Sequence, residues 1–235
     1  MNPILAKVAR FTGGVILLVI LSLGVREVVR MVVPVPKLSG PMVVPDKGTS
    51  PFYIADAAIG GSLDASHIFT DQDGKTFDLA SWYDKPMVIS FSFTSCTEVC
   101  PMINASLAKI VKDNKDKLGK DFRLVTVGFD TKNDTPAAMH KFGGNFTKDF
   151  TNWKFLSGSE ATVSALARKL GATYKFESGK GWQHYIGVTV IAPGGKVSSQ
   201  LFGPEYSNEQ FFEKLDVAMG KQPAEPAAQA KAELK

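Results

Sequence analysis

The sequence predicts an α/β domain, a mixed sheet flanked by helices, and three observations carry that expectation. Two runs of strand-forming residues, 87–93 (MVISFSF) and 122–129 (FRLVTVGF), are separated by a segment of helical apolar spacing. The first run has few polar breaks, which suits a strand buried on both faces. Further along, two more strand patterns meet at Pro193-Gly194-Gly195, and a helical pattern follows them.

Taken in order, residues 68–70 and 76–79 flank the turn Asp71-Gln72-Asp73-Gly74 and read as a hairpin. The 87–93 strand comes next. Residues 101–118 carry Met102, Leu107, Ile110, Val111 and Leu118 at helical spacing with lysines between them. After the 122–129 strand, Thr135 caps a helix that Pro136 opens and that runs toward Phe142. Phe155-Leu156 predicts a short strand, and residues 159–170 a helix ending at Gly171. Residues 184–192 and 196–202 predict the closing pair of strands, and residues 208–219 the last helix. This is the element order of the thioredoxin fold.

Composition excludes several classes. The chain has 235 residues, 44% of them apolar, with 16 Phe and two Cys, so it is neither disordered nor a disulfide scaffold. A single long apolar segment excludes a polytopic membrane protein. Lys7, Arg10, Arg26 and Arg30 against Glu27 supply +3 of the net charge of +4, which leaves +1 for the rest. The body of the chain is near neutral, and no nucleic-acid partner is expected.

Residues 11–25 (FTGGVILLVILSLGV) form an uncharged run with basic residues on both sides and no small-residue cleavage site after it. Residues 1–33 therefore predict an uncleaved single transmembrane anchor with basic flanks. The short basic tail is expected inside and the domain outside, where cysteine pairing is permitted. Residues 34–54 are a Pro-rich linker, 55–219 the folded domain and 220–235 a tail with little to bury.

Cys96 and Cys100 stand in FTSCTEVCP, just after a buried strand and at the mouth of a helix. Reactive groups of open α/β sheets gather at the carboxyl ends of strands, and a helix N-terminus stabilises a thiolate. Three intervening residues put the sulfurs about one helical turn apart. That spacing suits one metal ion between them, or a disulfide if the first turn distorts. The plainer reading is two buried core cysteines. Two thiolates and an imidazole suit a soft ion, copper(I), and also accommodate zinc.

The imidazole must come from His67, His140 or His184. His184 is preferred, because in this fold the start of its strand lies beside the cysteine loop. His140 is expected to be solvated among charged residues of its helix, and His67 to lie at the surface before the first strand.

These residues resemble the Sco/SenC family of membrane-anchored copper proteins. The likeness rests on Phe93-Thr94 before Cys96, Cys100 and Pro101, on Asp130 with Asp134-Thr135-Pro136, and on His184 followed by Pro193 and Gly195. It implies a thioredoxin-like domain that binds copper through Cys96, Cys100 and His184. It implies a metallochaperone role in assembly of the cytochrome c oxidase copper centre. The implied partners are the copper-bearing oxidase subunit and other copper chaperones or thiol reductants. The implied location is the inner membrane, single-pass, with the domain facing the periplasm. Ser95 and Thr97 depart from the His and Pro that the family often carries at these positions, which leaves the ligands intact.

The resemblance also keeps open a second role, with Cys96 and Cys100 as the redox pair of a thiol–disulfide oxidoreductase. A thiol peroxidase fits less well. It needs a Thr three residues before its Cys, where this chain has Phe93, and a supporting Arg, of which Arg123 is the nearest that follows. A domain that merely docks oxidase subunits is a further reading. Asp130 is expected either beside the metal ligands or as a turn carboxylate.

Overall fold

The computed structural model describes residues 58–63, 67–179, 181–184 and 187–221. The anchor, the linker and the tail of the sequence analysis lie outside the described residues, apart from Gly220 and Lys221. Among the described residues no helix is long and apolar enough to cross a membrane.

The first strands of the described residues are the hairpin β1 (Ile68–Thr70) and β2 (Thr76–Asp78), followed by a 3-10 turn at Leu79–Trp82 that the Asp78 carboxylate caps through the Ala80 N–H. Then come β3 (Met87–Ser92), α1 (Val99–Asp113), β4 (Arg123–Gly128), α2 (Pro136–Gly143), β5 (Trp153–Leu156) and α3 (Glu160–Lys169). A second hairpin, β6 (Tyr174–Glu177) and β7 (Gly181–His184), precedes β8 (Gly187–Ile191), β9 (Val197–Phe202) and α4 (Asn208–Ala218). The central sheet has the order β5-β4-β3-β8-β9, with β3, β4 and β5 parallel and β8 and β9 antiparallel. It is the mixed sheet with flanking helices that the residue pattern predicts.

Every residue of β3 is buried, Ser90 and Ser92 included, which fits its few polar breaks. Alternation along the strand sends Met87, Ile89 and Phe91 into one core with Val125, Val127 and Val163 of α3. Val88 faces the other core, with Ile103 and Leu107 of α1, Met139 of α2 and Phe211 of α4. Local chemistry sets the helix starts. Thr135 and Ser159 accept N-cap bonds from Ala138 and Thr162, and Ser207 and Gln210 form a reciprocal capping box.

Three expectations need correction. The first long helix runs from Val99 to Asp113, not from residue 101 to 118. Pro101 is tolerated in its first turn, and Asn114 closes its end with bonds to Ile110, so Leu118 falls in the following turn. The expected strand 184–192 is two elements. His184 ends β7, which pairs with β6, while β8 begins at Gly187 and pairs with β3 and β9. The turn signal Glu177-Ser178-Gly179 explains this separate hairpin, with Gly179 and Gly181 both at positive φ. Finally, His67 is not at the surface. It is 3% exposed, because its carbonyl takes the Leu79 N–H and draws the segment onto the 3-10 turn.

Candidate metal centre

The candidate site is built at the carboxyl end of β3. The chain leaves the strand at Ser92 and turns back on itself, with the Cys96 N–H donating to the Phe93 carbonyl at 3.1 Å. It then enters α1. Glu98 occupies the N-cap position without making a side-chain cap. The Cys96 sulfur lies within reach of the helix instead, accepting from the Cys100 N–H at 3.5 Å. Cys100 is fully buried in the second turn-forming position of α1, while Cys96 is half-buried at the rim.

These surroundings separate the two thiols. The Cys100 thiol beside it holds the Cys96 group down to about 4, with further help from His184 and the backbone N–H groups of Cys100 and Glu98. The Cys96 thiolate and burial together push Cys100 up. The pair thus shares one proton and one negative charge, with the charge on the accessible sulfur.

His184 reaches this pair from the other hairpin. Its Nε2 stands 3.7 Å from the Cys100 Sγ. The strand period places Tyr174 and Phe176 of β6, and Trp182 and His184 of β7, on one face as cross-strand partners. That face lies on Phe129, with Tyr174 stacked at 4.9 Å, the Trp182 edge at 5.4 Å and the His184 ring at 5.2 Å. Phe93, next to the cysteine loop, meets the His184 ring edge-on at 5.9 Å. Among the described residues, no three His, Cys, Asp or Glu side chains are closed around a common point as metal ligands. Cys96 and His184 both approach Cys100, the Cys96 sulfur at its backbone N–H and the imidazole at its sulfur.

The other predicted residues fall elsewhere. His140 is exposed on α2, 3.3 Å from the Asp73 carboxylate and against the Phe150 ring, as expected of a solvated histidine. The Asp130 carboxylate accepts from the Asn133 amide in its own turn. Asp134 is the carboxylate that reaches the cysteine loop. Its Oδ1 accepts from both the N–H and the hydroxyl of Thr94 at 2.8 Å, and its Oδ2 from the Asp130 N–H at 2.9 Å. Burial raises its pKa, against the pull of these donors. Asp134 was visible in the sequence as part of the Asp-Thr-Pro motif, but its role was not. The aromatic platform of Phe129, Tyr174 and Trp182 was also missed, although alternation in residues 174–184 signalled a half-buried hairpin.

The SCO1/SenC family model matches residues 56–220. The chain belongs to the SCO1/SenC family. A curated relative, the SCO1 protein homolog of Bacillus subtilis, is 31% identical over 140 residues, which cover 58% of this chain and 72% of the relative. The solved structure of BsSco, a member of the Sco family of cytochrome c oxidase assembly proteins in which a disulfide switch was identified, superposes with a TM-score of 0.60. It is 27% identical and covers 70% of this chain and 97% of its own. ScoI of Bradyrhizobium japonicum, solved with copper bound, shares the fold at a TM-score of 0.55, with 23% identity over 69% of this chain and 97% of its own.

Proposed function

We propose that this SCO1/SenC protein carries copper on Cys96, Cys100 and His184 and serves assembly of the cytochrome c oxidase copper centre. The observation that carries this reading is the 3.7 Å approach of the His184 Nε2 to the Cys100 Sγ, with Cys96 at the same helix end. A thiolate and an imidazole about 2.3 and 2.0 Å from one ion, spread at about 120°, stand roughly 3.7 Å apart. The donor set of two sulfurs and one imidazole is soft and favours copper(I).

The ion is cargo, and the residues divide the work of holding it. Cys96 offers a charged, accessible sulfur for first capture. Capture by Cys100 requires release of the proton that the pair shares, so loading liberates acid. His184 supplies a neutral nitrogen from a separate hairpin. Release to a partner proceeds by exchange of thiolates, the accessible Cys96 first. The predicted anchor on residues 1–33 would hold the domain at the inner membrane facing the periplasm. Phosphatase and fluorescent-protein fusions after Pro51 report that side.

The test is copper retention by the full chain. Wild type is expected to keep about one copper per chain through gel filtration. Cys96→Ser with Cys100→Ser is expected to keep none, and equal retention by that variant would end this reading.

The low-lying Cys96 thiolate favours a second reading, a thiol–disulfide oxidoreductase acting on a partner's cysteines. Insulin reduction with metal chelated tests it, and no turnover above a Cys96→Ser control would remove it.

A further inference from the structure

Among the described α-helices, α1 begins without the support that the others have. Thr135, Ser159 and Ser207 cap α2, α3 and α4 through their side chains, whereas Glu98 makes no such bond at the start of α1. Pro101 brings no N–H to the first turn. The Cys96 sulfur takes the Cys100 N–H there, at 3.5 Å. Yet this turn carries Cys100, whose sulfur meets the His184 Nε2 at 3.7 Å. A turn that sets one side of that approach needs a firmer tether.

The tether lies inside the fold. Asn104, one turn further along α1, is fully buried, and so are Ser90 and Ser92 of β3, Thr126 of β4 and Trp153 of β5. The Cys100 carbonyl accepts only, so the Asn104 group 2.8 Å from it is the Nδ2 amide. The second Nδ2 hydrogen goes to the Ser92 Oγ at 3.0 Å. The Asn104 Oδ1 accepts the Thr126 hydroxyl proton at 2.9 Å. The Thr126 oxygen in turn accepts from the Trp153 Nε1–H at 3.1 Å, and the Ser90 hydroxyl stands 3.0 Å from it. One amide side chain thus joins the first turn of α1 to two neighbouring strands, with both of its hydrogens and its oxygen in use. Matched apolar side chains in place of such a network cost little stability, so its use here points to position rather than to cohesion.

We infer that Asn104 is a positioning residue, which clamps the Cys100 carbonyl to β3 and β4 and so holds the Cys100 sulfur against the His184 imidazole. It acts through the Cys100 backbone. For the proposed copper site, the clamp fixes one thiolate–imidazole separation. That consequence rests on Cys100 and His184 being ligands, as proposed above, but the first readout of the test needs no metal.

The test is Asn104→Ser in the full chain. A serine hydroxyl in a helix still reaches the carbonyl four residues back, here that of Cys100, but it is too short to span to Ser92 and Thr126. In the metal-free protein, proton NMR is expected to show contacts between the His184 ring and the Cys100 side chain in wild type and to lose them in the variant. With copper(II) bound, the thiolate-to-copper charge-transfer absorption is expected to shift. Competition titration is expected to give an affinity roughly tenfold weaker, the low end of what an outer-sphere partner controls. Gln200→Leu is the control for lost stability, because the buried Gln200 amide clasps the Leu170 carbonyl at the end of α3 in the same way, at 2.7 Å. It is expected to lower thermal stability and leave every one of these readouts at its wild-type value. Unchanged His184–Cys100 contacts in Asn104→Ser overturn the inference, and so do equal changes in Gln200→Leu. Should Asn104→Ser fail to fold, Ser92→Ala, which removes one strand anchor alone, carries the same test with the same deciding outcome. Wild type that binds no copper would sink the proposed carrier role and leave the metal-free contacts to decide the inference.

Discussion

The two halves of the candidate centre are built in opposite ways. The sulfurs sit where β3, a strand buried along its whole length, meets α1, and Asp134 ties the loop that bears them to the β4–α2 connection through Thr94. The imidazole sits on β7, whose described strand partner is β6 and not the central sheet. That hairpin rests on the Phe129 and Phe93 rings, and Phe176 on its outer part is 60% exposed. Elements with few buried contacts lie at the low end of local stability. For the proposed copper site this difference implies a division of labour, with a fixed pair of sulfurs on the core and an imidazole on a peripheral hairpin.

The largest effect expected from this contrast is in the thiol chemistry. Between pH 8 and 5 an ordinary cysteine loses roughly a thousandfold of its thiolate. Cys96, held near 4, is expected to alkylate at a nearly constant rate over that range. The sign also bears on stability. A thiolate whose folded pKa is depressed contributes stability that is full above its unfolded value and is lost as pH falls toward about 4. Because the Cys100 thiol is the main cause, the flat profile should survive His184→Ala. A profile in that variant that falls tenfold per pH unit below 8 would place the control of the charge on the hairpin instead.

Next comes metal affinity. His184→Ala removes a proposed direct ligand, so copper(II) affinity should fall by more than the ~10–100-fold typical of losing an outer-sphere partner. His140→Ala, on the exposed face of α2, should leave it unchanged. Competition titration separates the two, and equal losses would show that the hairpin histidine is no ligand.

The two halves also differed in how far they could be read from residues. The cysteine side was legible, because Cys96 and Cys100 follow a strand-like run with few polar breaks and stand at the start of a helical period, and those local patterns place them at a strand end. The histidine side was legible by fold order, yet its local structure was misread. Tyr174 and Trp182 pack across a hairpin onto Phe129, a contact between distant segments that no local period records. The scaffold beneath the sulfurs was hidden for a similar reason. Asp134 reaches Thr94, 40 residues away, and Asn104 reaches Thr126, 22 away. A buried serine or asparagine in a strand or helix looks like a weak position until its partner is known.

A smaller effect tests the platform. Phe129→Ala should destabilise the domain by about 3–5 kcal/mol, as for other fully buried aromatics. It should weaken copper(II) binding through loss of the His184 support, while the Cys96 alkylation profile keeps its shape. Chemical denaturation and the alkylation assay together check this, and a Cys96 profile that changed with the platform would mean the two halves are not separable.

The smallest effect is aimed at the sulfur side alone. A Cβ at Gly128 would stand 2.6 Å from the Asp134 Cβ and 3.0 Å from the Met139 sulfur. Its φ is not in the left-handed region, so space rather than backbone conformation requires glycine there. Gly128→Ala should therefore cost about 1–3 kcal/mol by overpacking. The displaced group is the carboxylate that accepts both Thr94 donors, so the disturbance should travel to the cysteine loop and not to the hairpin. Amide hydrogen exchange would show it as faster exchange at Thr94 and Asp130, with exchange across the β6–β7 ladder unchanged. Equal loosening of the hairpin would mean that its aromatic contacts are held in place by the same loop that holds the sulfurs.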